Sequence, residues 1–159
     1  MPQQTGSALK PFPFLQTPFQ EFYARFSPDG HWIAYQSNES RRFEIYVAPF
    51  PGPGGKRQIS TSGGTFPRWR RDGKEIFYVG PDRRLMAAEV NSKGDTIEVG
   101  QVRPLGVSAA RAGTGTGAFL GYQYDVSPDG QRFLVVAPPE QNTVPPLTLI
   151  QNWTAGLKK

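Results

Sequence analysis

The sequence predicts an all-β chain of about three four-stranded antiparallel sheets, and three observations lead there. Gly occurs 18 times and Pro 16 times in 159 residues, a density of turn formers and helix breakers that leaves little room for long helices. An Asp-Gly pair followed by an apolar run recurs three times: RFSPDGHWIAY at 25–35, RWRRDGKEIFY at 68–78 and DVSPDGQRFLV at 125–135. The runs after the pair are apolar at consecutive positions, so these strands are covered on both faces; a strand with one wet face would alternate.

The elements follow in chain order. Each Asp-Gly pair (Asp29-Gly30, Asp72-Gly73, Asp129-Gly130) reads as a hairpin turn. Asp bonds its own backbone, Gly supplies a positive φ, and in Ser27-Pro28-Asp29-Gly30 the proline presets the second turn position. Second strands then start at Trp32, Ile76 and Phe133, and third strands are expected at 44–48, 84–88 and 147–150. Outer strands are expected at 56–60 and 101–105. Turn-rich loops are expected at 49–55, 62–64 and 91–94, and a Gly/Thr-rich linker at 109–118. The pairs are spaced 43 and then 57 residues apart; the first spacing suits a four-stranded propeller blade and the second needs an insertion. The division is therefore an N-terminal tail and outer strand of a preceding blade at 1–20, blade 1 at 21–62, blade 2 at 63–108, the linker at 109–118, and blade 3 with a C-terminal strand at 119–159. The expected architecture is a partial β-propeller of about three blades, a piece of a larger propeller or a self-associating arc. Its end faces are expected to expose residues such as Trp32, Ile33 or Leu134.

The segment ARFSPDGHWIAY at 24–35, followed by EIYV at 44–47, resembles the WD40-like propeller repeat of the TolB type. The stretch from KPFPFL at 10–15 to RWRRDG at 68–73, with the closing NWTAGLKK at 152–159, is similar to the C-terminal propeller region of some bacterial serine/threonine protein kinases. The resemblance covers most of residues 10–159 and specifies fold more than function. Kinase motifs (a Gly-rich loop before Val-Ala-Ile-Lys, His-Arg-Asp, Asp-Phe-Gly) are missing from the sequence, so a kinase activity would belong to another part of such a protein.

Composition narrows the chemistry. Cys is absent and His31 is the single histidine, which removes disulfides, Cys nucleophiles and Cys- or His-rich metal sites within one chain. A His-based triad would have to use His31, yet Lys74 and Gln131 take its place in the other copies. Asp29, Asp72 and Asp129 are carboxylates of the type that bind metals or move protons, but each precedes a glycine in its own turn, so turn chemistry accounts for Asp29, Gly30, Asp72, Gly73, Asp129 and Gly130 together. The run GTGTG at 113–117 lacks the Gly-Lys-Ser/Thr end of a phosphate loop. Asn38 and Asn152 head glycosylation sequons, to which a bacterial resemblance gives little weight.

Lys and Arg number 18 against 13 Asp and Glu, a net charge of +5. Arg68, Arg70 and Arg71 flank Trp69, and with Arg41, Arg42, Arg83 and Arg84 they could present a basic, aromatic-bearing face to an anion. Nucleic acid is disfavoured as the partner because no reading module accompanies them. No apolar stretch is long enough for a membrane helix and no signal peptide is evident; the resemblance leaves the compartment open, a membrane-anchored or periplasmic full-length protein included. The expected function is a non-enzymatic, protein- or ligand-binding propeller segment without catalytic, cofactor or metal residues, the sensor or interaction part of a larger bacterial protein such as a serine/threonine kinase. Its expected partners are a protein or small ligand, the remaining blades, or a second copy. The alternatives are the non-catalytic gating propeller of a prolyl-oligopeptidase-type peptidase and a TolB-like envelope component.

Overall fold

The computed structural model describes residues 11–52, 54–108 and 124–135. The described residues form an all-β structure without helices. Strands β1 (Glu21–Phe26), β2 (Trp32–Ser37), β3 (Glu44–Pro49) and β4 (Arg57–Gln58) make one four-stranded meander. A second meander holds β5 (Thr65–Trp69), β6 (Glu75–Val79), β7 (Arg84–Lys93) and β8 (Thr96–Ser108). A hairpin of β9 (Tyr124–Val126) and β10 (Phe133–Val135) follows. All pairings are antiparallel, as short connections between sequence neighbours require.

The three sheets stack, and period-2 alternation gives each face its own neighbour. In β2, Trp32 and Ala34 point at the second sheet and join Ile45, Val47 and Ile59 against Ile76, Tyr78, Ala88, Val90 and Ile97. The opposite face of β6, with Phe77, packs with Val79, Leu85 and Ala87 against Tyr124, Val126, Phe133 and Val135 of the hairpin. Ile33 and Tyr35, facing the other way from Trp32, pack with Tyr46 and Ala48 under Phe14, Leu15 and Phe50. Every residue of β2 and of β6 is buried.

That third cluster corrects an expectation. Trp32 and Ile33 are 3% and 5% exposed, not open on an end face: the second sheet covers Trp32, and the segment ahead of β1 folds back over Ile33. Residues 11–17 form no strand. Pro11 and Pro13 have no N–H to donate to a ladder, and the segment packs through rings, with Phe14 at 5.6 Å and Phe12 at 6.3 Å from Phe50. Leu134 lies on the far side of the stack and is 77% exposed.

Strand lengths also differ from expectation. Residues 91–93 belong to β7 rather than to a loop, pairing with Glu98, Ile97 and Thr96. The turn is only Gly94-Asp95, with Gly94 at φ +58°, so the ladder runs up to it. The expected outer strand at 101–105 is the middle of β8, while the one at 56–60 shortens to Arg57–Gln58. Beyond β4 the edge continues through the Ile59 N–H to the Ile45 carbonyl (2.7 Å) and the Ile45 N–H to Ser60 Oγ (2.8 Å). The linker at 109–118 and the strand at 147–150 lie outside the described residues.

Two carboxylates are buried in these sheets. Glu44, fully buried, accepts from Arg42 Nε at 2.7 Å, from the Gly63 N–H at 2.9 Å and from the Ser60 hydroxyl. Glu75 accepts from Arg70 at 2.6 Å and Arg103 at 2.8 Å. Among the described residues no buried side-chain polar atom lacks a partner, as a closely packed interior demands.

The inter-sheet core yields a direct check. Ile76→Ala, at a position with no exposure between the first two sheets, is expected to cost ~2–5 kcal/mol. Leu134→Ala is expected to stay within about 0.5 kcal/mol. Chemical denaturation of the two variants distinguishes them.

Candidate functional site

The three Asp-Gly turns are one hydrogen-bonded motif built three times. In the first, the Gly30 N–H donates to the Ser27 carbonyl (2.9 Å), the Ser27 N–H to the Trp32 carbonyl (2.8 Å), and the Trp32 N–H to Ser27 Oγ (2.9 Å). Asp29 Oδ1 accepts from the Ser27 hydroxyl and from the His31 N–H. The third turn repeats each bond with Ser127, Asp129, Gly130, Gln131 and Arg132. The second keeps the backbone bonds but has Arg70 where the others have serine. Its guanidinium grips both oxygens of Asp72 at 2.7 Å, and its remaining nitrogen reaches Glu75. A bidentate guanidinium replaces one hydroxyl bond with two charge-assisted ones.

Gly30, Gly73 and Gly130 have φ of +77°, +73° and +71°, the left-handed region that costs other residues energy. The turns lie in a row along one side of the stack, one from each sheet. A Cβ built on Gly73 would come 3.9 Å from Pro28, and one on Gly130 would come 2.6 Å from Arg70 Cδ. All three carboxyls titrate below their ordinary value. The Ser27 hydroxyl does this for Asp29, the Arg70 guanidinium for Asp72 and the Ser127 hydroxyl for Asp129. Asp29 and Asp129 each commit Oδ1 to two turn donors and Asp72 commits both oxygens, and no group of three or more His, Cys, Asp or Glu side chains able to hold a metal occurs among the described residues.

His31 is exposed and lines a shallow groove of about 410 Å³ with Asp29, Ser92 and Asp95. The triad residue types are together here, but no hydrogen bond joins the imidazole to Ser92 or to either carboxylate, so nothing orients a base toward a nucleophile.

The arginines do not form one face. Arg42 and Arg83 line a groove with Phe43, while Arg84 pairs with Asp82 at 3.4 Å. Arg70 is held in its turn, beside a groove of about 610 Å³ where it and Lys74 meet three carboxylates, Glu75, Glu89 and Glu98, so this groove has no excess of positive charge. Arg25, Arg68 and Arg71 converge instead, with Phe26 and Trp69, in a groove of about 480 Å³ between β1, β5 and β9. Trp69 Nε1–H donates to the Arg25 carbonyl (3.1 Å), fixing the indole against β1. Arg68 donates to the Tyr124 carbonyl (3.1 Å) and pairs with Asp125 (3.1 Å). Arg25 joining Arg68 and Arg71, and the buried Glu44 and Glu75, had no periodic signal in the sequence; only strand pairing places them. The GTGTG run at 113–117 and Asn152 lie outside the described residues.

Neither a protein-family model nor a curated protein matches this chain.

Two outcomes test the turns. Gly73→Val places a β-branched residue at positive φ and is expected to cost ~1 kcal/mol or more. Gly130→Val adds the approach to Arg70 and should lower Tm further; an unchanged Tm for Gly73→Val would refute the turn's demand for glycine. For the carboxylates, a folded value below the unfolded 3.8 means that ionisation stabilises the fold fully above 3.8, and that this contribution disappears as pH falls through the folded value. The wild type should therefore lose stability more steeply than Asp72→Asn as the pH falls below 3.8. Salt should weaken the difference, since Asp72 faces solvent.

Proposed function

We propose that this chain is a non-enzymatic segment of a β-propeller, the protein- or ligand-binding part of a larger bacterial protein such as a serine/threonine kinase. One observation carries the reading: residues at equivalent positions of successive sheets make the same contact one sheet further along. Ile33, Ile76 and Phe133 all face the preceding side of the stack, and Ala34 and Phe77 the following side. A unit of this kind adds copies of itself until a ring closes. The triplicate Asp-Gly motif supports the same reading, because it uses its carboxylates to build turns and leaves none arranged for chemistry.

The two ends of the stack are where such a segment meets further blades or a second copy. Phe12 and Phe26, 61% and 57% exposed, stand beside Phe50 at one end, and Leu134 stands at the other. Two sets of three blades would make a six-bladed ring, within the range of closed propellers. Light scattering over a range of concentrations should therefore give a mass above 17.6 kDa that rises with concentration, and Phe26→Ser should lower it. A monomer of 17.6 kDa at every concentration, unfolding cooperatively, would show that the end faces need no partner and would overturn the proposal.

A further inference from the structure

We propose that the groove between β1, β5 and β9 is an anion-binding site, taking a carboxylate or phosphate on a flat apolar body, with the anion held by Arg25 and Arg71 and the body against Trp69. The inference deepens the reading of the chain as a binding segment by naming what this groove accepts, and it rests on that reading.

Charge is the first argument. Three guanidinium groups and one carboxylate line the groove. Asp125 is engaged by Arg68, which also bonds the Tyr124 carbonyl. Arg71 is exposed and makes no ion pair among the described residues, so the groove keeps an excess of positive charge. Guanidinium forks match the paired oxygens of carboxylate and phosphate. The volume, about 480 Å³, is that of a small-molecule site.

Aromatic surface is the second. Trp69 is held by its bond to the Arg25 carbonyl, so its ring forms a wall that needs no ordering when a ligand arrives.

The third argument is backbone geometry. β1 carries one extra residue between Phe22 and Arg25, and β5 carries one between Thr65 and Arg68. At each bulge an aromatic residue sits at positive φ, Tyr23 and Phe66 both at +57°, and the two rings touch with centroids 4.6 Å apart. Bulky residues seldom adopt this conformation, which costs on the order of 1–3 kcal/mol. A one-residue bulge reverses the alternation of every side chain beyond it. Here it sets Arg25 opposite Ala34, on the face toward the second sheet; in unbroken register Arg25 and Phe26 would exchange faces. The strain is held twice, and each time it reorients the arginine two residues later: Arg25, opposite Ala34, toward the second sheet, and Arg68, opposite Phe77, toward the β9–β10 hairpin, the two meeting at the groove along β5.

The test uses the whole chain with phenyl phosphate, inorganic phosphate and benzoate as probes, followed by calorimetry and by amide shifts of residues 25, 69 and 71. Phenyl phosphate is expected to bind saturably and more tightly than inorganic phosphate, which has no ring to set against Trp69. The ratio of phenyl phosphate to benzoate affinity tells whether phosphate or carboxylate is the preferred anion. Arg71→Gln, an exposed substitution, and Arg25→Gln should each weaken binding by about tenfold, while Arg84→Gln, outside the groove, should leave it unchanged. Absence of saturable binding, or equal weakening by Arg84→Gln, would overturn the anion site and leave the scaffold reading intact. Release of phenol from phenyl phosphate, lost in Arg71→Gln, would uphold the site and overturn the non-enzymatic reading.

Discussion

Burial of both faces of each sheet is the constraint on which the rest of this structure depends. β2 and β6 have no polar face: odd and even positions alike are covered, one set by the sheet before and the other by the sheet behind. A sheet of that kind cannot end at water without exposing a row of large apolar side chains. At one end of the stack the cost is reduced by Phe14, Leu15 and Phe50, which close over Ile33 and Tyr35. At the other, Leu134 stays open. Stacking is thus a property of the individual strands rather than a choice made between finished sheets.

The turns make this stacking regular. Each sets its second strand in the same alignment, so the third residue after the glycine (Ile33, Ile76 and Phe133) points the same way in every copy. The substitution of Arg70 for serine shows which parts are essential. The backbone bonds and the glycine φ persist, while the side-chain donor to the aspartate changes from a hydroxyl to a guanidinium fork. The larger donor also reaches Glu75, which is buried and takes a second guanidinium from Arg103. Removing one partner from such a group would leave a buried charge uncompensated, which is costly.

Strands β1, β2, β5 and β9 carry the polar stitching between sheets. Gln36 accepts the Phe66 N–H at 3.0 Å, Trp69 donates to the Arg25 carbonyl, and the Tyr124 hydroxyl donates to the Phe66 carbonyl at 2.8 Å. Each bond pairs a backbone group at a strand edge or bulge with a side chain of the neighbouring sheet, satisfying groups that a ladder would otherwise have used. The strained Tyr23 and Phe66 sit inside this network, which is what holds them there.

The sequence by itself determined the class of the fold and the places where the chain turns. Gly and Pro density, consecutive apolar positions and the repeated Asp-Gly pair are local properties, and antiparallel sheets follow from them by short-range physics. Only tertiary structure decided the rest. Residues 11–17 read as a strand, but their prolines offer few ladder donors and their aromatic rings found an apolar face instead. Asn91 and Ser92 read as loop, but the two-residue turn beyond them let the ladder continue. Arg25, Arg68 and Arg71 come together because strands far apart in the chain lie edge to edge, and because two bulges shift the alternation by one residue. A bulge leaves no mark in a hydrophobic pattern: it is set by which partner residues the neighbouring sheet supplies, and that information lies dozens of positions away in the chain.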